Sequence, residues 1–375
     1  MARDTAVKQA LRDDGIRCES HNAAMLFEPW TVKTGAGEPY RVFSPYWRRC
    51  VPGLAEIPQP LSAPAALPAV PDELASLPIE SLGLLPRIRW DQGLADTWRP
   101  GAAGAAERLE RFLGRAMAGY GDGRERPAEP GTSRLSPHLH WGEIGPRQIL
   151  AAVRNAGGSA TEGGAGHFVR ELGWREFSMQ MLFHFAHTPT APLDPKFADF
   201  PWRTDGADAL LAAWQRGRTG IPIVDAGMRE LWHTGWMHNR VRMIVASLLT
   251  KNLRLPWQAG ARWFWDTLVD ADLASNTQGW QWAAGSGADA APYFRIFNPV
   301  LQGQRFDAAG AYVRRWCPEL AALPDKLIHQ PWTAKPAVLD ALGIRLGHDY
   351  PAPAVDLKQS RDAALAAFQQ LKQRA

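Results

Sequence analysis

A carboxylate, an indole, a guanidinium and a hydroxyl recur at helical spacing in the stretch ELGWREFS. Glu171, Trp174, Arg175 and Ser178 occupy positions i, i+3, i+4 and i+7. If the segment is helical, these four side chains share one face. A solvated face with an i, i+4 Glu–Arg pair would explain the charges, but the Trp at its centre argues against that interpretation. The pattern predicts a polar wall of a binding pocket.

A second polar face is predicted in the helix that follows Gly235. Its buried stripe consists of Val241, Val245, Leu248 and Leu249. Asn239, Arg242 and Met243 point to another side of that helix, and Arg240 points to a third. An amide, a cation and a thioether on one side again predict a pocket wall.

Acidic and amide side chains alternate with indoles between Asp270 and Trp282. Asp272, Asn276 and Trp280 follow one another at steps of four residues. The carboxylates of Asp270 and Asp272 could bind Mg²⁺ or perform general acid–base catalysis. The same side chains could instead hold the edges of a flat heteroaromatic molecule. The residues alone leave both possibilities open.

The stretch GTSRLSP at 131–137 predicts an anion site at the start of a helix. Ser136 suits the N-cap, and Pro137 suits the first helical position. Three hydroxyls and Arg134 would meet free backbone N–H groups there, an arrangement that suits phosphate. A plain capped helix would explain the same residues. No GxGxxG, GxxxxGK[ST] or HExxH motif occurs, so neither the usual nucleotide fingerprints nor a metal site is expected.

Composition narrows the class of protein. The 375 residues are 46% hydrophobic and 21% charged, enough for a large core, and the absence of a long apolar run excludes a membrane span. The scattered cysteines, Cys18, Cys50 and Cys317, and the absence of a secretory signal indicate a cytoplasmic protein without disulfides or thiolate zinc.

Two residue types are unusually frequent. The 34 Arg against 8 Lys indicate either codon usage or a demand for side chains that match phosphate. Ten of the 17 Trp fall between Trp174 and Trp282, a cluster that asks for an explanation.

The chain divides into three parts. Residues 1–50 read as a helix that ends near Gly15 and then short β-type runs, from Val32 to Phe43, around a turn. Residues 51–80 hold seven prolines and form a predicted linker. From about residue 81, apolar stripes of helical period alternate with Gly and Pro breaks, so 81–375 is predicted to be an all-helical domain.

Taken together, these blocks resemble the flavin-binding half of the DNA photolyase/cryptochrome family, and most of all class I cyclobutane pyrimidine dimer photolyases. The resemblance is carried by GTSRLS at 131–136, ELGWREF at 171–177, TGIPIVDAGMREL at 219–231, TGWMHNRVRM at 234–243, DADLASNTQGWQWAAGSG at 270–287, DAAPYFRIFNP at 289–299 and YPAPAVD at 350–356. It implies a mainly α fold: an all-helical FAD-binding domain after a truncated α/β, Rossmann-like antenna-domain remnant. On the order of 100 residues of that antenna domain are expected to be absent.

The resemblance also implies roles for individual residues. The cofactor-binding set is Tyr120, Thr132, Ser133, Arg134, Leu135, Ser136, Glu171, Trp174, Arg175, Ser178, Asn239, Arg242, Asp270, Asp272 and Asn276. The set for DNA and the flipped dimer is Glu171, Trp174, Arg175, Asn239, Arg240, Met243, Trp282 and Arg295. Glu171, Asn276 and Met243 are implied in catalysis, and Trp280, Trp257 and Trp202 in electron transfer from the flavin to the surface.

The function implied is light-driven repair of pyrimidine dimers, by electron transfer from excited reduced FAD to a dimer flipped out of the DNA. The partner is then UV-damaged DNA. The chain is expected to be a monomer associated with the nucleoid, without a second antenna chromophore because of the expected truncation. A cryptochrome-like photoreceptor and an inactive FAD-binding fragment are the alternatives. Asn276, Glu171 and Met243 favour repair, and Met243 with the His238–Asn239 pair argues against the (6-4) photoproduct subclass.

Overall fold

Helices are the main regular secondary structure of the chain that the computed structural model describes, residues 2–71, 73–289 and 294–374. The first helices are α1 Ala2–Asp13, α2 Phe43–Leu54, α3 Gln92–Thr97, α4 Ala102–Arg115, α5 Tyr120–Gly123, α6 Ser136–His140, α7 Pro146–Asn155, α8 Gly163–His184 and α9 Ala207–Gln215. The others are α10 Pro222–Thr234, α11 Asn239–Ser247, α12 Trp257–Thr267, α13 Leu273–Ala284, α14 Pro299–Phe306, α15 Ala311–Trp316, α16 Asp325–Ile328, α17 Pro336–Ala341 and α18 Leu357–Arg374. The predicted mainly helical fold is confirmed.

Shorter elements join these helices. Single 3₁₀ turns occupy Ile79–Leu82, Pro195–Asp199, Pro318–Leu320 and Pro331–Thr333, and a π-helical turn, Leu248–Asn252, continues α11. Within the described ranges, no helix is long and apolar enough to cross a membrane.

Four packed helices form the framework of the molecule around the predicted site. Helix α13 packs against α8, α11 and α12. A Cβ atom at Gly260 of α12 would lie 2.1 Å from the indole of Trp280, so a glycine is required where α12 approaches α13. The stripe predicted for α11 is confirmed, since Val241, Val245 and Leu249 are fully buried. The polar faces predicted on α8, α11 and α13 thus belong to neighbouring helices.

The β-type runs expected between Val32 and Phe43 form no strand in the described chain. The turn between them exists, since the Thr34 N–H donates to the Glu38 carbonyl at 2.9 Å. A strand also needs a partner that forms a ladder of backbone hydrogen bonds with it. Among the described residues, this segment has one backbone hydrogen bond to a distant part of the chain, from the Asp289 N–H to the Arg41 carbonyl at 3.1 Å, and one bond is not a ladder. The prediction of strands was wrong for this physical reason.

Helix α2 crosses the boundary placed between residues 50 and 51. Phe43, Tyr46, Cys50 and Leu54 are its buried residues, and the helix packs on α8. Their spacing of three to four residues is that of a helical stripe, which the prolines nearby obscured in the sequence. The first residues of the predicted linker are therefore helical, and exposed coil begins at Pro58.

A buried carboxylate on α8 fastens the N-terminal segment to the helical domain. Glu176 accepts hydrogen bonds from the N–H groups of Leu26 and Phe27, at 2.8 and 3.1 Å. Glu176 is only 2% exposed. This burial raises the pKa of Glu176 to about 7, although the two N–H groups and Arg175 oppose the rise.

We expect the free energy of unfolding to depend on the protonation of Glu176. Between pH about 4.5 and about 7, the folded protein binds this proton while the unfolded chain has lost it, so stability falls as pH rises through that window. Glu176→Gln cannot ionise and keeps an acceptor, so it should lose this slope. Urea unfolding at several pH values measures the effect.

Glu176→Ala is the matched control, because it removes both the charge and the acceptor. It leaves two buried N–H groups unpaired and should lower stability by roughly 1–3 kcal/mol across the same pH range. A wild-type slope that persists in Glu176→Gln would contradict the assignment of the pKa.

Candidate functional site

An ion pair joins the start of α11 to the loop before α13. Nη2 of Arg242 donates to both oxygens of Asp270, at 2.8 and 3.1 Å, and Nε donates to the Met237 carbonyl at 2.8 Å. The Asp270 side chain is 2% exposed and that of Arg242 25%. Among the described residues nothing accepts from Nη1 of Arg242, so this nitrogen keeps two N–H groups for a bound molecule.

The second carboxylate of this region has a different task. Asp272 is the N-cap of α13 and accepts from the N–H of Ser275 at 2.7 Å. Asp270 and Asp272 therefore do not act as a pair, and no group of three or more potential metal ligands occurs among the described residues. This arrangement favours the heteroaromatic interpretation of the segment over a Mg²⁺ site.

Asn276 lies one turn into α13 and keeps part of its hydrogen-bonding capacity. Its Nδ2 donates to the Ala261 carbonyl at 2.9 Å, which fixes the orientation of the amide. Its Oδ1 then remains available as an acceptor. A fixed amide acceptor and the free Nη1 of Arg242 are suited to the edge of a flat ring that carries both donors and acceptors.

Two further ion pairs cross from the segment after Tyr120 to the predicted site helices. Arg124 pairs with Glu171 on α8, and Glu125 pairs with Arg240 on α11. Arg124 and Glu125 are themselves 3.7 Å apart, so the four charges form one chain. Sequence reasoning missed Arg124 and Glu125; the alternating charges of RER at 124–126 were the available signal.

The network of four charges also reaches the thioether on α11, and it affects the pKa of the carboxyl group on α8. Nη1 of Arg240 lies 3.9 Å from Sδ of Met243. Burial raises the pKa of Glu171, and Arg124 opposes the rise. Glu171 is therefore an acid that holds a proton more readily than an exposed glutamate does.

The GTSRLSP segment differs in detail from its prediction. Leu135, not Ser136, is the N-cap, and α6 is five residues long, so the helix dipole adds little there. The hydroxyl of Ser136 accepts from the indole of Trp236 at 3.3 Å, and Arg134 lies 4.4 Å above the same ring. Arg134 has a left-handed φ of 51°, which bends the segment around its partly exposed Thr132 and Ser133.

Not every residue of the predicted face on α8 is available to a ligand. Trp174 stacks on Phe43 of α2 with 3.7 Å between ring centroids. The Ser178 hydroxyl donates to the Trp174 carbonyl at 2.9 Å, within its own helix. Arg175 donates to the Ala24 carbonyl at 2.7 Å and so faces the N-terminal segment. The pocket roles of Arg175 and Ser178 stay predictions.

Two other predicted residues differ in burial: Tyr120 is buried, whereas Asn239 is exposed. Tyr120 packs its ring against Phe112 and Phe168, each at 5.5 Å between centroids. Asn239, the first residue of α11, is exposed and can meet a partner.

A cavity of about 390 Å³ unites three of the residues predicted to hold the dimer. Met243 of α11, Trp282 of α13 and Arg295 line it, and the Arg295 guanidinium lies 6.0 Å from the Trp282 ring. Its other walls include Phe197, Lys251, Phe294, Phe297, Phe368 and Lys372. Residues 290–293, within the DAAPYFRIFNP block, lie outside the described residues. The cavity is aromatic and basic, which suits a flat molecule that carries negative charge.

The three tryptophans predicted for electron transfer pack into one hydrophobic cluster. Trp280 and Trp257 are each 2% exposed, whereas Trp202 is only partly buried and packs on Phe200 at 4.5 Å. Trp202, the predicted surface end of the chain of tryptophans, is thus more exposed than the other two, which are equally buried. Trp214 also contacts Trp280, with 6.0 Å between ring centroids.

Comparison with known proteins agrees with this architecture. The family profile described as the FAD binding domain of DNA photolyase matches residues 168–370, and that described as DNA photolyase matches 1–67. A deoxyribodipyrimidine photo-lyase of Agrobacterium fabrum is 47% identical over 373 residues, which cover 99% of this chain and 77% of that protein. Cryptochrome-1 of Arabidopsis thaliana is 38% identical over 387 residues, covering 100% of this chain and 56% of its own length.

A solved structure extends the likeness to three dimensions. A bacterial class III photolyase from Agrobacterium tumefaciens superimposes with a TM-score of 0.94 at 46% identity, covering 100% of this chain and 77% of that one. The fold is that of a protein with the FAD-binding domain of DNA photolyase. The chain belongs to the DNA photolyase/cryptochrome family.

The residues present fit FAD. Arg242 and Asn276 offer a donor and an acceptor, and Thr132, Ser133 and Arg134 supply hydroxyls and a cation. His238 adds a further donor: its Nδ1 accepts from the Arg240 N–H at 3.2 Å, so its proton is on Nε2. That nitrogen is buried without a partner in the described chain, as expected of a site completed by a bound group.

We expect Trp280→Phe to nearly abolish photoreduction of oxidised FAD while leaving FAD bound, because the buried indole that is predicted to be the first electron donor to the flavin would be lost. The absorbance of the bound flavin under blue light measures this. Trp214→Phe is the matched control, since Trp214 is buried in the same cluster but is not part of the predicted chain. Equal losses in both variants would show that Trp280 acts only through packing.

Proposed function

We propose that this protein repairs cyclobutane pyrimidine dimers in UV-damaged DNA with light. The observation that carries the proposal is the cavity lined by Met243, Trp282 and Arg295, in a chain whose relatives include a deoxyribodipyrimidine photo-lyase at 47% identity. FAD, when bound, supplies a light-excited electron donor. The protein's own residues bind the dimer, keep water out and stabilise the charge that it gains.

The cavity residues suit a pyrimidine pair that has left the base stack. Trp282 offers an aromatic face and Met243 a polarisable thioether, so two apolar walls replace the stacking that the bases lose. Arg295 contributes a cation for the phosphates next to the lesion. The cavity volume of about 390 Å³ matches the size range of sites that hold small ligands.

Glu171 does not itself line this cavity, but Arg124, Glu125 and Arg240 link it to Met243. It is proposed as the group that stabilises the dimer after the dimer receives an electron. A carboxylic acid can donate a hydrogen bond to a pyrimidine carbonyl, and burial favours this protonated form of Glu171. The bond strengthens when the carbonyl oxygen gains negative charge, so it acts on the reactive state more than on binding. Arg124 pairs with the same carboxylate and restrains its position.

A cryptochrome-like photoreceptor is the second candidate, because cryptochrome-1 of Arabidopsis thaliana is also similar. Glu171, Met243 and Trp282 together favour repair, since a photoreceptor has no need of a site for a flipped dimer. Assignment to class I stays a prediction, and the similar solved structure is that of a class III photolyase. We also propose a monomer that acts at the nucleoid.

An oligonucleotide with one thymine dimer tests the proposal directly. The reduced protein should restore intact thymines under blue light and not in the dark. Binding without light-dependent repair would support the photoreceptor, and absence of both would support an inactive FAD-binding fragment.

Glu171→Ala should lower the quantum yield of repair about two- to fivefold, the effect of losing a hydrogen bond worth roughly 0.5–1 kcal/mol. FAD content and dark affinity for dimer-containing DNA should stay nearly unchanged. Glu171→Gln is the matched control, because its amide still donates and should retain most of the yield. Loss of FAD in Glu171→Ala would show that the residue is structural.

Arg295→Ala should weaken DNA binding about tenfold and reduce the slope of log affinity against log salt by about one, since one phosphate contact is lost. Binding titrations at several salt concentrations measure both. Arg361→Ala is the control, because Arg361 is an exposed arginine that pairs with Asp362 outside the cavity. An unchanged slope in Arg295→Ala would remove Arg295 from the DNA contact.

A further inference from the structure

A lysine is buried between α11 and α13, two of the helices that line the cavity. Lys251 belongs to the π-helical turn Leu248–Asn252 that continues α11, and its residue is only 1% exposed. It lines the same cavity as Met243 and Trp282. None of the described residues forms an ion pair with Lys251, so contacts of other kinds must stabilise its buried amine.

Two contacts hold the Lys251 amine. Nζ donates to the carbonyl of Ala284, the last residue of α13, at 2.6 Å, and it lies 3.2 Å from the centroid of the Phe294 ring. The last carbonyls of a helix have no partner within the helix, and this one is satisfied by Lys251. The next residue, Gly285, has φ +90° and ends the helix in the left-handed conformation.

Burying this amine is costly, so packing alone does not explain it. Desolvation lowers the pKa of Lys251 well below its usual value, although a helix C-terminus and an aromatic face both favour a cation. A methionine would fill the same space without desolvating an amine. The feature that a methionine lacks is the N–H donor to Ala284.

We propose that Lys251 is a positioning residue for the substrate cavity. By bonding the last carbonyl of α13 to the turn that continues α11, it fixes Trp282 relative to Met243. Trp282 lies in the same helical turn as Ala284, so fraying of that turn would displace its indole. This inference rests on the proposed function, because the two walls matter for a flipped dimer.

Lys251→Met tests the role by removing the donor while keeping the length and apolar stem. We expect affinity in the dark for a dimer-containing oligonucleotide to fall about five- to tenfold. Affinity for the undamaged oligonucleotide and FAD content should stay unchanged. Lys251→Gln, which keeps an N–H donor, should recover part of the preference for the dimer.

Lys372→Met is the matched control. Lys372 lines the same cavity and lies 4.8 Å from the Phe368 ring, but it is exposed on α18. Removing its charge should weaken binding to damaged and undamaged DNA equally. An unchanged dimer preference in Lys251→Met would overturn the inference, as would equal losses in the two Met variants. If Lys251→Met does not fold, the same criteria apply to Lys251→Leu, which also removes the donor.

Hydrogen exchange separates this inference from the proposed function. Amides at the end of α13 should exchange faster in Lys251→Met than in wild type, and no faster in Lys372→Met. If wild type shows no dimer preference, the proposed function fails, and exchange then decides alone whether Lys251 fixes Trp282. Unchanged exchange would overturn the inference in either case.

Discussion

An ionisable side chain that is withdrawn from water needs a partner, and this requirement organises the molecule. Asp270 is paired with Arg242, Glu171 is paired with Arg124, and Glu176 takes two backbone N–H groups from the N-terminal segment. Each pair joins segments that are far apart in sequence. Removing one partner would leave an uncompensated buried charge, which costs far more than the pair contributes. The same contacts therefore build the fold and place the site.

Local periodicity was sufficient to predict the helical elements and the buried stripe of α11, because a helix satisfies its own backbone hydrogen bonds. The runs near Val32 could not be judged in this way, since a strand depends on a partner elsewhere in the chain. Helix α2 was missed because Pro52 and its neighbours resemble a linker, whereas burial against α8 stabilises it. In both cases the secondary structure depends on contacts with distant segments, which local sequence patterns do not reveal.

The candidate site was predicted mainly through the resemblance to a family. From spacing alone, Asp270 and Asp272 could belong to a metal site or to a site for a heteroaromatic molecule. The ion pair of Asp270 with Arg242 and the N-cap role of Asp272 favour the heteroaromatic site. Arg124 and Glu125 could not be found from spacing, because their partners lie on other helices. The opposite orientation of Arg175, toward Ala24, likewise depends on the N-terminal segment.

Helix α13 is held at both ends by side chains that lie outside its helical residues. Asp272 caps its first turn and Lys251 binds its last carbonyl, so the helix has little freedom to fray or shift. Between these two points lie Asn276, Trp280 and Trp282, which are predicted to meet the flavin, pass electrons and hold the dimer. Electron transfer and stacking both depend steeply on distance. A helix fixed at its two ends would hold those distances constant.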